Sequence, residues 1–303
     1  MRGLTANAQG ALLMMASMAS FTLNDACMKA LSDELPLFQA IFLRGIATTV
    51  FMYFLARALG GLRFRWPARE WRLIALRTAT EIGAAYFFIS ALFNMPIANA
   101  TAILQVLPLA ITLAGALFLG EAVGWRRLTA ILVGFSGVML IVRPGFEGFN
   151  IYSVNVLLAV VCVTARDLFA RRLSAEVPTM LVAFVNAAAV TVFFGVGSVF
   201  TDWAPLSSTS LMQLGGASVL IIGGYVFSVS AMRVGEIAII APFRYTSLLW
   251  ALILGLAVFG EWPSGVTLIG AAIVVATGIY TFYRERRMSR DAATAAAAEP
   301  PPR

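Results

Sequence analysis

Asp25–Pro36 reads DACMKALSDELP, and Asp167–Pro178 reads DLFARRLSAEVP. A constant offset of 142 lays Asp25 over Asp167, Leu31 over Leu173, Ser32 over Ser174, Glu34 over Glu176 and Pro36 over Pro178. Lys29 meets Arg171, which keeps the charge, and Phe51 still meets Phe193 further on. Agreement of this density marks two copies of one unit. A second, sparser block supports it. Gly120-Glu121 and Gly260-Glu261 stand 140 apart, as do Gly115 and Gly255.

The copies are built of apolar runs. The chain is 60% hydrophobic and 12% charged, with mean hydropathy +0.86, where a soluble domain carries roughly 25% charged residues. A membrane-spanning helix needs about 20 apolar residues. Ten such runs are predicted, near 8–31, 36–56, 73–93, 97–119, 128–142, 151–170, 179–200, 211–232, 237–259 and 265–283. The fold class is therefore all-α integral membrane, with ten transmembrane helices. Each copy holds five, an odd number, so the second enters the membrane upside down and the fold is a 5+5 inverted repeat. The expected units are 1–145, 146–287 and a disordered tail at 288–303, where alanines run into Pro300–Pro302.

Arginine placement sets the orientation. With the N-terminus inside, cytoplasmic segments hold Arg2, Arg57, Arg63, Arg65, Arg69, Arg72, Arg126, Arg127, Arg171, Arg172, Arg233, Arg284, Arg286, Arg287, Arg290 and Arg303; outer segments hold Lys29 and Arg143. Both termini are expected in the cytoplasm of a bacterial inner-membrane protein. The net charge of +7 is thereby assigned to topology, and no nucleic-acid partner is expected. The first run resembles a secretory leader, but its removal would orphan the matching helix of the second copy, so it is read as helix 1.

Several chemistries fall away. There is no His, so His catalysis and His metal sites are excluded. The single Lys, Lys29, sits in no GxxxxGK[ST] context, so there is no P-loop. Cys27 and Cys162 lie in apolar runs and read as small buried hydrophobes. No cofactor, no metal and no enzymatic activity are expected.

Ionisable residues inside spans are costly and are usually paired or functional. Asp25 and Lys29 stand at i,i+4, as do Asp167 and Arg171, and Arg77 and Glu81. Each set reads either as a structural ion pair or as a proton-coupling or gating group, with Asp25, Lys29, Glu81 and Asp167 as the candidates. Arg44 lies roughly 12 Å into helix 2 and its counterpart is Asn186, so the fold itself does not require the charge. Gln105 falls opposite Tyr245 near Pro108 and Pro242, in polar blocks of helices 4 and 9. Asn94 and Asn99 read as caps, Glu121 and Glu261 as structural closures of each repeat, and Tyr86, Tyr225 and Trp250 as packing or stacking surfaces.

With Gly-Glu ending the fourth helix of each half, residues 8–284 resemble the EamA-type drug/metabolite transporter superfamily. The resemblance implies a central cavity lined by helices 1, 3, 4, 6, 8 and 9, and movement of a small organic solute. FLRG at Phe42–Gly45, Arg77 with Glu81, AILQVLPL at Ala102–Leu109 and APFRYTSLLWA at Ala241–Ala251 are similar to the branch holding riboflavin and S-adenosylmethionine uptake transporters. Riboflavin uptake is the leading expectation, with Arg44, Arg77, Gln105, Arg244 and Tyr245 as binding residues. S-adenosylmethionine uptake and amino-acid, drug or metabolite efflux are the alternatives within the class, and a non-transporting membrane scaffold is the alternative outside it. The expected partners are a small-molecule solute and the lipid bilayer; homodimerisation is left open.

Overall fold

A computed structural model describes residues 5–59, 62, 64–120, 124–143, 150–234 and 237–298. The first half holds α1 (Ala6–Ala30), α2 (Leu37–Ala58), α3 (Ala68–Asn94), α4 (Ile97–Leu104), α5 (Leu107–Leu119) and α6 (Trp125–Val142). The second holds α7 (Tyr152–Arg171), α8 (Thr179–Ser198), α9 (Ser208–Val234), α10 (Ile237–Ile240), a 3-10 turn (Ala241–Tyr245), α11 (Thr246–Phe259) and α12 (Gly265–Ala298). Among the described residues, ten helical stretches are long and apolar enough to cross a membrane. Helices suit that solvent because each satisfies its own backbone hydrogen bonds.

Prolines and glycines punctuate the spans. Pro36, Pro67, Pro96 and Pro178 stand immediately before α2, α3, α4 and α8, where a missing N–H costs nothing. Gly120 and Gly260 end α5 and α11 with φ of 70° and 64°. That left-handed geometry is strained for any residue with a Cβ, which is the physical reason for glycine in both Gly-Glu pairs. Glu121 itself lies outside the described residues.

Three expectations shift. The third span starts at Ala68, not 73, because Ala68-Arg69-Glu70 are good helix formers and Glu70 complements the positive helix start. The fourth and ninth spans are each broken in the middle, at Gln105–Val106 and at the 3-10 turn. Pro108 and Pro242 lack the N–H, and their rings clash with the carbonyl four residues back. Finally, α12 continues through Ala298. The tail drawn as disordered from 288 is helical that far, since alanine has the highest helix propensity.

The halves interlock. α1 packs on α9, α3 on α7, α2 on α8 and α6 on α12, each pair drawing one member from each copy. Two contacts join equivalent positions. The Thr49 and Thr191 hydroxyls lie 2.8 Å apart across 142 residues. Gln105 Nε2 donates to the Tyr245 carbonyl at 3.2 Å across 140 residues. Equivalent residues of two copies can touch only near the axis relating them, so these bonds mark the pseudo-two-fold. Between α6 and α12, backbones approach closely: a Cβ on Gly270 would stand 2.6 Å from the Gly137 carbonyl oxygen, a contact only small residues permit.

The repeated motif forms the turn between the first two helices of each half and docks it on the other half. Leu31 and Leu35 are buried beneath the first turn. Its Glu34 carboxylate accepts from the hydroxyls of Ser210 and Ser207 at the start of α9. In the second turn the partnership is mirrored with different atoms: the Ser174 N–H donates to Glu70 at the start of α3 at 3.0 Å, and Arg69 donates to the Arg172 carbonyl at 3.3 Å. Hydrogen bonds from Ser210 and then Ser207 hold the Glu34 carboxyl below the usual glutamate range. Its stabilising contribution is therefore present above that range and lost as pH falls through the depressed value. Glu34→Gln is expected to flatten the acid limb of the thermal-unfolding profile. An unchanged acid limb removes this tie as a source of pH dependence.

Candidate functional site

Asp25 sits more than a turn inside the end of α1. Asn24 Nδ2 donates to Asp25 Oδ1 at 2.9 Å, and Arg44 Nη1, from α2, donates to Asn24 Oδ1 at 3.3 Å. Asp25 and Arg44 also interact electrostatically. The second half answers with Arg166 Nε donating to Asp167 Oδ1, again at 2.9 Å. The 142 offset lays Asn24 over Arg166 and Arg44 over Asn186. Each half thus carries one Asp, one Arg and one Asn, but the Arg and the Asn have exchanged helices. Charge is supplied from α2 in one half and from α7 in the other.

Arg166 does more than hold Asp167. Its Nη1 reaches across to Glu81 Oε2 of α3 at 3.0 Å. The side chains of Arg166, Glu81 and Asp167 are 25%, 18% and 33% exposed, so the triad is half-buried and partly wet. Glu81 therefore pairs with Arg166 and not with Arg77, its i,i+4 neighbour. Arg77 Nη1 is buried without a hydrogen-bond partner among the described residues. Tyr225 of α9 lies within electrostatic reach of Glu81, Arg166, Arg44 and Arg77, and its ring meets Phe21 edge-on at 5.4 Å. Tyr225 is exposed. Arg244 is likewise exposed and interacts electrostatically with Asp167 and Arg166.

Lys29 leaves Asp25 altogether. Its Nζ pairs with Glu261 Oε1 at 3.1 Å and donates to the Met95 carbonyl at 2.7 Å and the Leu92 carbonyl at 3.4 Å. Glu261 Oε2 in turn accepts from the Ile97 N–H at the start of α4 at 3.2 Å. One ion pair therefore ties α1, the α3–α4 turn and the end of α11, closing the Lys29 end across both halves. A recess of about 390 Å³ opens over this lock, bounded by Lys29, Asp33, Asn94 and Glu261. In the second half, Asp167 is held by Arg166 and Arg171 is exposed at the helix end.

Gln105 and Tyr245 meet where the two broken spans touch. Gln105 is buried and spends its amide on the Tyr245 carbonyl, bridging the two broken spans. Tyr245 is buried with its ring against Phe282 and its hydroxyl close to Gly278 of α12. Tyr245 still lies within electrostatic reach of Arg244. Asn94 donates to the Ser90 carbonyl and Asn99 Oδ1 has no partner among the described residues; α4 has no side-chain cap. Tyr86 packs on Phe38 and Phe87, and Trp250 joins the Met14–Met18 cluster. Arg166 was passed over in the sequence. Its signal was its register with Asn24, one residue before the repeated Asp. No group of three or more His, Cys, Asp or Glu among the described residues is arranged to hold a metal.

The arrangement is a polar, arginine-rich centre between α1, α3, α7 and α9, closed at one end. Comparison with known proteins agrees. The profile of the EamA-like transporter family matches residues 8–143 and again 150–283. A pseudopaline exporter of Pseudomonas aeruginosa is 27% identical over 278 residues, covering 87% of this chain and 93% of that protein. A riboflavin transporter of Vibrio cholerae is 28% identical, covering 73% and 74%. An S-adenosylmethionine uptake transporter of Rickettsia prowazekii is 24% identical, covering 89% and 91%. A solved crystal structure at 20% identity superposes with a TM-score of 0.64 over 92% of this chain and 98% of its own, which speaks for the fold alone.

Proposed function

The chain belongs to the EamA-like transporter family, and from that premise we propose that it is a secondary transporter that carries a small polar organic metabolite across the bacterial inner membrane, with both termini cytoplasmic. The observation that carries this reading is the half-buried cluster of Arg44, Arg77, Glu81, Arg166, Asp167 and Tyr225 at the contact of the two inverted halves. Ionised groups are retained inside spans where they meet a cargo or an ion, and an inverted pair of bundles can expose one central site to each side in turn. In this reading the Lys29–Glu261 lock closes the outer side. Arg44 and Arg77 face the cargo, and Asp25, Glu81 and Asp167 balance or exchange charge as the halves rock.

Riboflavin uptake is the cargo tested first. The relatives named above are a pseudopaline exporter, a riboflavin transporter and an S-adenosylmethionine uptake transporter, so their names agree on the class and diverge on cargo and direction. The test is uptake of labelled riboflavin by cells lacking their own importer. Accumulation is expected with the wild-type chain and its loss with Arg44→Ala at equal membrane level. No accumulation with confirmed membrane expression removes riboflavin. Unchanged uptake by Arg44→Ala removes Arg44 from the site.

A further inference from the structure

Seven charged side chains make up the central set: Arg44, Arg77, Arg166 and Arg244 against Asp25, Glu81 and Asp167. Every carboxylate is already engaged. Asp25 takes Asn24 and faces Arg44, while Arg166 serves both Glu81 and Asp167. Two guanidinium groups are left over. Arg77 has a buried Nη1 without a hydrogen-bond partner. Arg244 makes no side-chain hydrogen bond or ion pair with any described residue, and its exposed side chain stands beside Asp167 and Arg166. Arg77 interacts with Glu81 first and with the same two residues besides, so both arginines stand beside one triad. Arginine stays protonated throughout the working pH range, and the cluster carries a net charge of +1.

A cation held in a span that must share its counter-ion with another cation is costly, and the cost is relieved when a bound molecule supplies further negative charge. The planar fork of an arginine matches the two oxygens of a carboxylate or the oxygens of a phosphate. Resting on the transporter reading above, we propose that the cargo carries a free oxyanion, a carboxylate or a phosphate, and that Arg77 and Arg244 take it while Arg44 and Tyr225 contact the rest of the molecule. The proposal narrows the cargo from within the chain itself. It ranks uncharged riboflavin below a solute that carries an oxyanion.

The test uses purified full-length protein and three matched pairs that differ by one anionic group: riboflavin and its 5′-phosphate, adenosine and its 5′-monophosphate, and N-acetylphenylalaninamide and N-acetylphenylalanine. Thermal stabilisation is read at equal concentrations. At least one acid is expected to stabilise the protein where its neutral mate does not; the phosphate and carboxylate arms say which oxyanion is preferred. Arg77→Gln is expected to weaken binding of that acid roughly tenfold or more. Arg77→Lys, which keeps the charge and loses the fork, is expected to weaken it less and guards against a folding defect. Neutral members binding as well as their acids, or no acid binding at all, overturns the proposal. Exchange across liposomes separates the two readings. Transport of riboflavin with no acid moved sinks the oxyanion and leaves the transporter standing. Acids that bind and are never moved sink the transporter and leave the oxyanion site.

Discussion

Arg166→Ala is expected to destabilise the detergent-solubilised protein by about 3 kcal/mol, the low end for removing one partner of a buried ion pair. The reason is arithmetic of partners. Arg166 bridges Glu81 at 3.0 Å and Asp167 at 2.9 Å, so its loss strands two carboxylates. Side chains 18–33% exposed keep some water contact, which holds the cost below that of a dry site. The measurement is thermal or denaturant unfolding of the variant beside Arg166→Ala combined with Glu81→Gln and Asp167→Asn. Neutralising both acids is expected to restore most of the loss. If the triple variant is no more stable than Arg166→Ala, the penalty does not come from stranded charge and the triad is misassigned.

The second large effect concerns the closed end. Lys29→Met removes the ion pair to Glu261 and the bonds to Met95 and Leu92 while keeping the apolar stem packed. Protein in which this end stands open should become more populated, because the lost bonds favour only the closed arrangement. A shift of about 1.4 kcal/mol is a factor of ten in population. Cys27 lies two residues before Lys29 on α1 and is partly buried. In a Cys162→Ser background, a membrane-impermeant maleimide added at the outer side is expected to modify Cys27 at least tenfold faster in Lys29→Met than in the parent. Lys29→Glu paired with Glu261→Lys is expected to restore slow labelling. Equal rates in parent and Lys29→Met would show that the ion pair is not what holds this end shut.

Much of the fold was legible in the chain because the decisive signals are local or periodic. Apolar runs marked the ten spans, glycine marked the ends of α5 and α11, and the repeat of the Asp25–Pro36 turn marked the inversion. The charge partners were less legible. Asp25 with Lys29, and Arg77 with Glu81, have the spacing of helical ion pairs, yet both lost to partners on other helices. Lys29 has a long flexible stem and found Glu261 and two carbonyls; Glu81 found Arg166 on α7. Sequence separations of 63 residues and more leave no periodic trace. Register between the copies does leave one. Thr49 with Thr191, and Gln105 with Tyr245, are equivalent positions that touch on the pseudo-two-fold, and the Asn24–Arg44 exchange for Arg166–Asn186 follows from the same offset. Gln105 and Tyr245 are equivalent by offset, but their burial in the broken spans is a tertiary fact that the offset does not carry.

The claim that organises all of this is that two inverted halves move a solute past a central arginine cluster. Its most direct measurement is solute exchange in liposomes containing the purified protein, loaded with the compound that best stabilises it and supplied outside with the labelled form. Saturable exchange, abolished by Arg77→Gln and slowed by Lys29→Met, is the predicted result. A protein that binds the compound and is correctly inserted, yet exchanges none of it, would contradict the account.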